Sequence, residues 1–365
     1  MPKQLVFLAA VVACFLIFPL ARGDTATAIR QIKSIQREGN GNEAAVAAVR
    51  ELSKLGAEAI PEILAGMDSA DIVVINWLRG AVEAIAERES AAGKPLPLQK
   101  LEAFLKDTKH EPRARRLAFE CIAKADPKAS QQLLPLVLND PSAELRREAV
   151  AAKLADLRKN NADAAAWKQL LQNARDRDQV EAIVKELKSL GMEIDLTAHW
   201  GFITTWKLIG PFDNKGGVGF AKAYPPEEHV DLKGAKEVAA TEKLGNVDLN
   251  KAIGKEHGVV YYAYTVIESD KEQPAEIRAA TPNALKIFVN GQEIFHREEY
   301  HHGQTIDQHI GRCTLRKGRN EILVKVCQNE QKEDWAQTWA FQLRVCDTLG
   351  AALPVKVGTD GKEKR

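Results

Sequence analysis

The chain has 365 residues, too many for one ordinary domain of roughly 100–200 residues and enough for two. Its 45% hydrophobic content supplies core material and excludes wholesale disorder. With 51 Lys and Arg against 50 Asp and Glu, the net charge of +1 denies it the broad positive field that non-specific nucleic-acid binding needs. The balance also holds locally: 26 basic and 27 acidic residues from Asp24 to Ala198, and 23 of each beyond.

At the amino terminus Lys3 precedes an apolar run from Leu5 to Pro19, and small residues follow in Ala21-Arg22-Gly23. This pattern predicts an export signal over residues 1–23, with Asp24 as the mature start. Two alternatives stay open. An uncleaved anchor would be short, since the run of roughly 17 residues sits at the lower limit for spanning a bilayer. A lipid on Cys14 would follow if Val11-Val12-Ala13-Cys14 were a lipoprotein box, against which the apolar Phe15–Phe18 argues. Each reading places the chain beyond the cytoplasm, and membrane contact is expected only if the segment is uncleaved or lipidated.

Residues 24–192 are rich in Ala, Leu, Glu, Lys and Arg with apolar residues at helical spacing. A motif recurs in them: Arg79-Gly-Ala-Val-Glu-Ala-Ile85, Arg116-Leu-Ala-Phe-Glu-Cys-Ile122 and Arg147-Glu-Ala-Val-Ala-Ala-Lys153, with Glu43-Ala-Ala-Val-Ala-Ala-Val49 lacking only the Arg. Ala45, Ala81, Ala118 and Ala149 hold the small position through which neighbouring helices approach. Asn139-Asp140-Pro141-Ser142 reads as a turn between helices, Pro112 as the opening of a second helix and Pro61 as that of a first. The pattern resembles HEAT-like repeats over roughly residues 25–160, which implies a short α-solenoid with a protein-interaction surface. Ala162–Leu190 then reads as a closing helical pair with Trp167 in its core, and Cys121 as a small packing residue with an inert thiol. Arg79, Arg116 and Arg147 recur in register. They are either an interaction face for an acidic partner or salt bridges that fix helix pairs.

Past Gly191 the period changes from about 3.6 to 2. Alternation over Phe202–Ile209 predicts a strand ended by Gly210-Pro211; further strands are expected at Val259–Ile267 and Glu276–Ala280. Asn290-Gly291 joins two alternating runs in Leu285–Phe295 as a hairpin, and Arg316–Asn320 is expected to join Ile310–Leu315 to Glu321–Cys327 as a second. Trp339–Val345 is the last expected strand. Many short strands with turns imply an antiparallel sandwich or barrel. Trp206-Lys-Leu-Ile-Gly-Pro-Phe212, Leu285–Gly291, Leu315–Val326 and Trp339–Arg344 together resemble the galactose-binding-like jelly roll, over residues 198–348. The expected fold class is therefore multidomain, α then β: a short HEAT-like α-solenoid, then an antiparallel β-sandwich (jelly roll), then a flexible tail over 349–365.

Such sandwiches usually bind sugars with an end loop, and Tyr300, His301, His302, Asp334, Trp335 and Gln337 lie in the two longest late connections. Trp335 is the leading candidate, against the plainer reading of a packed edge tryptophan; Trp206 and Trp339 alternate with core residues and read as structural. His296, His301, His302 and His309, with Glu298, Glu299 and Asp307 among them, match no zinc signature, so no metal and no cofactor is expected. Asp213–Gly219 is glycine-rich but follows Gly-Pro-Phe rather than leading from a parallel strand into a helix, which predicts a flexible loop and not a phosphate site. No catalytic residue is assigned, because no nucleophile elbow or paired-carboxylate signature occurs. Cys327 with Cys346 is the one disulfide compatible with spacing.

These features point to a non-catalytic exported binding or scaffold protein, whose helical repeats take a protein partner and whose sandwich takes carbohydrate or another partner. The alternatives are a carbohydrate-active enzyme or its accessory subunit, with Asp307 and Asp334 as the carboxylates to check, and a structural envelope component without a ligand.

Overall fold

A computed structural model describes residues 22–35, 39–240 and 242–358. The expected export segment lies outside the described residues except for its last two. Among the described residues no helix is long and apolar enough to cross a membrane. The helices come first: α1 (Arg22–Lys33), α2 (Asn42–Lys54), α3 (Ile60–Ala65), α4 (Ile72–Ala91), α5 (Leu98–Lys106), α6 (Pro112–Ala125), α7 (Pro127–Leu133), α8 (Ala143–Lys159), α9 (Ala164–Leu171) and α10 (Arg177–Ser189). Contacts divide the chain into two compact units, one ending at Lys153 and the other beginning at Leu154. The sequence reading drew its boundary at 192–198. The division observed here groups α9 and α10 with the sandwich, where Gln172 and Arg175 share a small cavity with Trp200 and Gly350.

In the helical unit α1 packs on α2, α2 on α4, α4 on α6, and α5 on α6. The recurring alanines explain how. Ala45, Ala81 and Ala118 are fully buried and Ala149 is 2% exposed, so the small position of each motif faces a neighbouring helix. Helix starts are set locally. Asp71 accepts from Val74 N (2.9 Å) at α4, Asp126 from Lys128 N and Ala129 N at α7, and prolines stand in the first turns of α3, α6 and α7. Asp140 ties its turn back to α6. Its carboxylate takes a bidentate pair from Arg115 (2.7 and 2.6 Å), both side chains are almost fully buried, and the Arg115 Nε also donates to Leu105 O.

The second unit continues with α11 (Leu196–Trp200), β1 (Thr205–Asp213), α12 (Val218–Ala221), α13 (Pro225–Glu228), β2 (Lys236–Ala239), β3 (Val247–Asp248), α14 (Leu249–Ile253), β4 (Val259–Ser269), β5 (Gln273–Ala280), β6 (Ala284–Val289), β7 (Gln292–Arg297), β8 (His309–Leu315), β9 (Gly318–Gln328), β10 (Ala340–Cys346) and β11 (Lys356–Val357). Two antiparallel sheets form a sandwich. One runs β2-β1-β4-β9-β6-β7 with β11 also on β4; the other runs β3-β10-β5-β8. Between them lie Trp206, Tyr261, Trp339 and Phe341 with the apolar residues of β4, β9 and β10. A second apolar layer covers the outer face of the larger sheet, where Phe220 and Tyr224 from the segment after β1 pack on Tyr262, Tyr264, Phe288 and Cys327. This double burial explains why β4 is apolar on both faces rather than alternating.

The Asn290-Gly291 turn forms as expected, with both residues left-handed (φ 52 and 80°), as a two-residue turn that matches strand twist requires. Four expectations are corrected. First, Gly210-Pro211 does not end β1. The pairing with β4 slips between Ile209 and Phe212 and resumes, so the proline, which has no N–H to donate, sits in an irregularity of the ladder. Second, β8 and β9 are not a hairpin: β8 pairs with β5 and β9 with β4 and β6. Asn320 builds this corner, its Nδ2 donating to Arg316 O and Gly318 O while its Oδ1 accepts from Arg316 N. Third, the cysteines Cys121, Cys313, Cys327 and Cys346 are all free, Cys327 and Cys346 lying in different sheets. Fourth, the chain beyond 348 is ordered as far as Gly358. Leu353 and Val355 pack against the core, and β11 adds to β4 at Ile267 and Glu268. The rest of the expected tail lies outside the described residues.

Candidate functional site at one end of the sandwich

The register places one set of connections at a single end of the sandwich. Asp213 pairs with Val259, Val259 with Gln328 and Ala284 with Cys327, so β1 and β9 finish where β4 and β6 begin. At that end an open groove of about 880 Å³ is lined by Gly216, Gly217, Tyr300 and the run Asn329–Glu333.

Asn214 holds the groove from below and is fully buried. Its Nδ2 donates to Gln328 O (3.0 Å) and to the Tyr300 hydroxyl (3.1 Å), and its backbone N–H donates to Gly258 O (2.8 Å). The expected flexible loop at Asp213–Gly219 is therefore pinned, because a buried asparagine ties it to three separate stretches of chain. Tyr300, half-buried, is held neutral: burial pushes its phenol up to about 12, against the Asn214 contact. Since its oxygen accepts from Asn214, the hydroxyl hydrogen is left to donate elsewhere. On the opposite wall Glu330 accepts from Gly216 N (2.8 Å), and the left-handed Gly216 and Gly217 (φ 65 and 77°) bring backbone close to it.

The structure brings together some of the residues expected from sequence. Tyr300 lines the groove. His301 Nε2 lies 2.8 Å from Asn329 Oδ1, and its ring stands edge-on to Trp335 at 5.3 Å and 88°. Trp335 is 64% exposed, so it is a presented indole rather than a packed edge residue. Asp334 is exposed on the same turn. Gln337 braces that turn instead of facing the groove: its side-chain amide donates to Glu333 O (3.2 Å), and its backbone carbonyl accepts from Asn250 Nδ2 (2.7 Å). His302 turns away, toward Gln308 and His309. Gln328, which is fully buried, ties the β9–β10 connection to the turn between β5 and β6, accepting from Asn283 Nδ2 (2.8 Å) and donating to Ala336 O (3.4 Å).

Asn214, Asn329 and Glu330 were missed by sequence reasoning. The glycine pair beside Asn214 was visible, but its partners lie 86 and 114 residues away, which no local pattern shows.

Of the two carboxylates to check for catalysis, Asp334 is exposed and Asp307 is engaged in ion pairs. Asp307 is clamped by Arg344, whose Nε is 2.6 Å from Oδ1 and whose Nη2 bonds Oδ2, and by Arg278 (2.7 Å). Burial opposes its ionisation, but the two guanidinium groups outweigh burial and hold it below the usual carboxylate range. A carboxylate kept ionised by two guanidinium groups is poorly suited to act as a general acid. Among the described residues no cluster of His, Cys, Asp or Glu could hold a metal ion.

In the helical unit, Arg79 bonds Glu83 (2.7 Å) and reaches Glu120 on α6 (2.8 Å); Arg116 bonds Glu120 (3.0 Å) and Glu148 on α8. Arg147 follows in register on α8 and also has partners. Arg79 and Arg116 thus clip α4 to α6 and α6 to α8, their guanidinium groups committed to carboxylates. Cys121 is buried, and burial pushes its thiol up to about 11, away from reactivity.

The fold and groove define a helical segment followed by an antiparallel β-sandwich with an open polar site at one end. No family model and no curated protein matches the chain. Solved structures similar in part include an anti-sigma factor domain-containing protein, at 9% identity over 41% of this chain and 48% of that one, TM-score 0.25. A β-glucuronidase of an uncultured Clostridium sp. is 12% identical over 45% of this chain and 34% of that one, TM-score 0.28. A PA14 sugar-binding domain from an RTX adhesin is 17% identical over 50% and 81%, TM-score 0.18. The chain spans less than half the length of the first two, and these similarities are too slight to assign an activity or a ligand.

Proposed function

We propose that the sandwich end binds carbohydrate and that the chain is an exported, non-catalytic binding protein. In this reading the sandwich is of the galactose-binding-like kind, and the helical unit is a HEAT-like repeat that serves a protein partner. The observation that carries it is the exposed Trp335 indole beside a groove that offers a free phenolic hydrogen from Tyr300 and acceptor oxygens on Glu330 and Glu333. A sugar needs these groups together, an apolar face to stack on and polar groups that fix its hydroxyls. Glu330 and Glu333 face one Lys332 in the lining, a balance that favours neutral over anionic glycans. The clamp on Asp307 supports the non-catalytic reading over one that uses Asp307 with Asp334.

Titration calorimetry of the full protein with neutral and uronate-containing oligosaccharides tests the reading. Saturable binding of a neutral glycan is expected, with uronates weaker; no binding of any glycan at millimolar concentration refutes it. Amino-terminal sequencing of the protein from the extracytoplasmic fraction tests export, with Asp24 as the expected first residue.

A further inference from the structure

A buried imidazole, His309, packs against the half-buried His302 of the connection that carries Tyr300 and His301. His309 opens β8 and is 8% exposed, its ring edge-on to His302 with centroids 6.0 Å apart and tilted against Phe295 at 5.0 Å. The Nε2 atoms of both histidines are buried and have no hydrogen-bond partner among the described residues. Gln308 fixes the His302 ring. Its Oε1 accepts from Thr281 N (3.3 Å), which leaves Nε2 to donate to Gly303 O and to His302 Nδ1, each at 2.7 Å. His302 Nδ1 is thereby an acceptor, with Gly303 O 3.0 Å away. A proton on His309 would place a charge in a buried pocket beside a nitrogen that has no acceptor.

We propose that His309, seated against His302, is an acid-sensitive latch: while its imidazole is neutral the 300–308 connection stays closed on the sandwich end, and its protonation releases the connection together with Tyr300 and His301. The charged groups around the pair do not prevent this. Arg297 opposes protonation and Glu299 favours it, and the two pair with each other at 2.7 Å. Asp307 is committed to Arg278 and Arg344, and the β5 residue opposite His309 is Ala279. Left-handed backbone at His301 (φ 57°) and Asp307 (φ 62°), neither of them glycine, also favours opening.

The direction follows from linkage. Burial, the largest cause, with the Arg297 guanidinium adding to it, pushes His309 from 6.5 down to about 4 while the connection is closed. The open connection takes up the proton near 6.5, so the closed form is unaffected above that pH and loses ground as pH falls toward 4. Between pH 7 and 5 the closed-to-open ratio falls about 20-fold.

The latch does not depend on what the groove binds, so its test needs no ligand. Hydrogen exchange of the full protein is followed from pH 7.5 to 4.5, with rates corrected for intrinsic pH dependence. Amides in 300–308 should lose about 20-fold protection between pH 7 and 5 while those of β4 and β9 keep theirs. A His302→Gln/His309→Phe double variant should remove the loss. Flat protection of 300–308 in the parent, or unchanged pH dependence in the double variant, overturns the proposal. If the double variant fails to protect β4 at pH 7.5, an NMR titration of His309 in the parent decides: a native value below 5 supports the latch and one near 6.5 overturns it.

Discussion

The helical unit and the sandwich use their polar side chains differently. In the helical unit the recurrent arginines are spent on the unit itself, Arg79 and Arg116 clipping one motif helix to the next through Glu120 and Glu148. The sandwich buries its own charged clusters, Arg278–Asp307–Arg344 and Lys325–Glu227, yet at one end it leaves an indole face and a phenolic hydrogen open to solvent. Regularity in this chain therefore marks structure, and departure from it marks the candidate site. The repeated residue is the one already occupied, while Trp335 sits in an irregular connection where nothing repeats.

The largest effects should come from the buried ion pairs, one in each unit. Replacing Arg115 or Asp307 by Ala leaves a buried partner uncompensated and should cost about 3–5 kcal/mol in denaturant unfolding. Arg115→Ala should lower the helical transition and Asp307→Ala that of the sandwich; each change falling on the other unit would break the comparison. The Asp307 contribution is present above its unfolded value, near pH 4, and is lost as pH falls through its lower native value. Next in size is Ala118→Leu, which overfills a fully buried helix contact and should cost about 1–3 kcal/mol. Arg79→Ala should cost at most about 1 kcal/mol, because the side chain is 39% exposed and its pairs are screened. A larger loss there would mean that the ladder is a principal support of the helical unit.

Much of the architecture is legible in sequence because it is local. The small position of the helical motif and the Asn290-Gly291 turn are set by neighbours within a few residues. What the sequence hides is non-local. Arg316–Asn320 looks like a hairpin turn, and only the pairing of β8 with β5 and of β9 with β4 reveals a corner between sheets. Arg115 and Arg116 are adjacent, yet one step along a helix sends the first inward to Asp140 and the second outward to Glu148. At the candidate site the aromatic members were legible as residues out of place in a polar stretch. Asn214 and Gln328, which tie separate stretches of chain together, were not, since a buried amide has no sequence signature apart from its partners.

The central claim is that Trp335 is presented for binding rather than for stability. Measuring glycan affinity and unfolding free energy together on Trp335→Ala tests it most directly. The account predicts stability within about 0.5 kcal/mol of the parent, as for an exposed side chain, with affinity reduced at least about tenfold. Unchanged affinity, or a stability loss of the size expected for a buried tryptophan, about 3–5 kcal/mol, would contradict it.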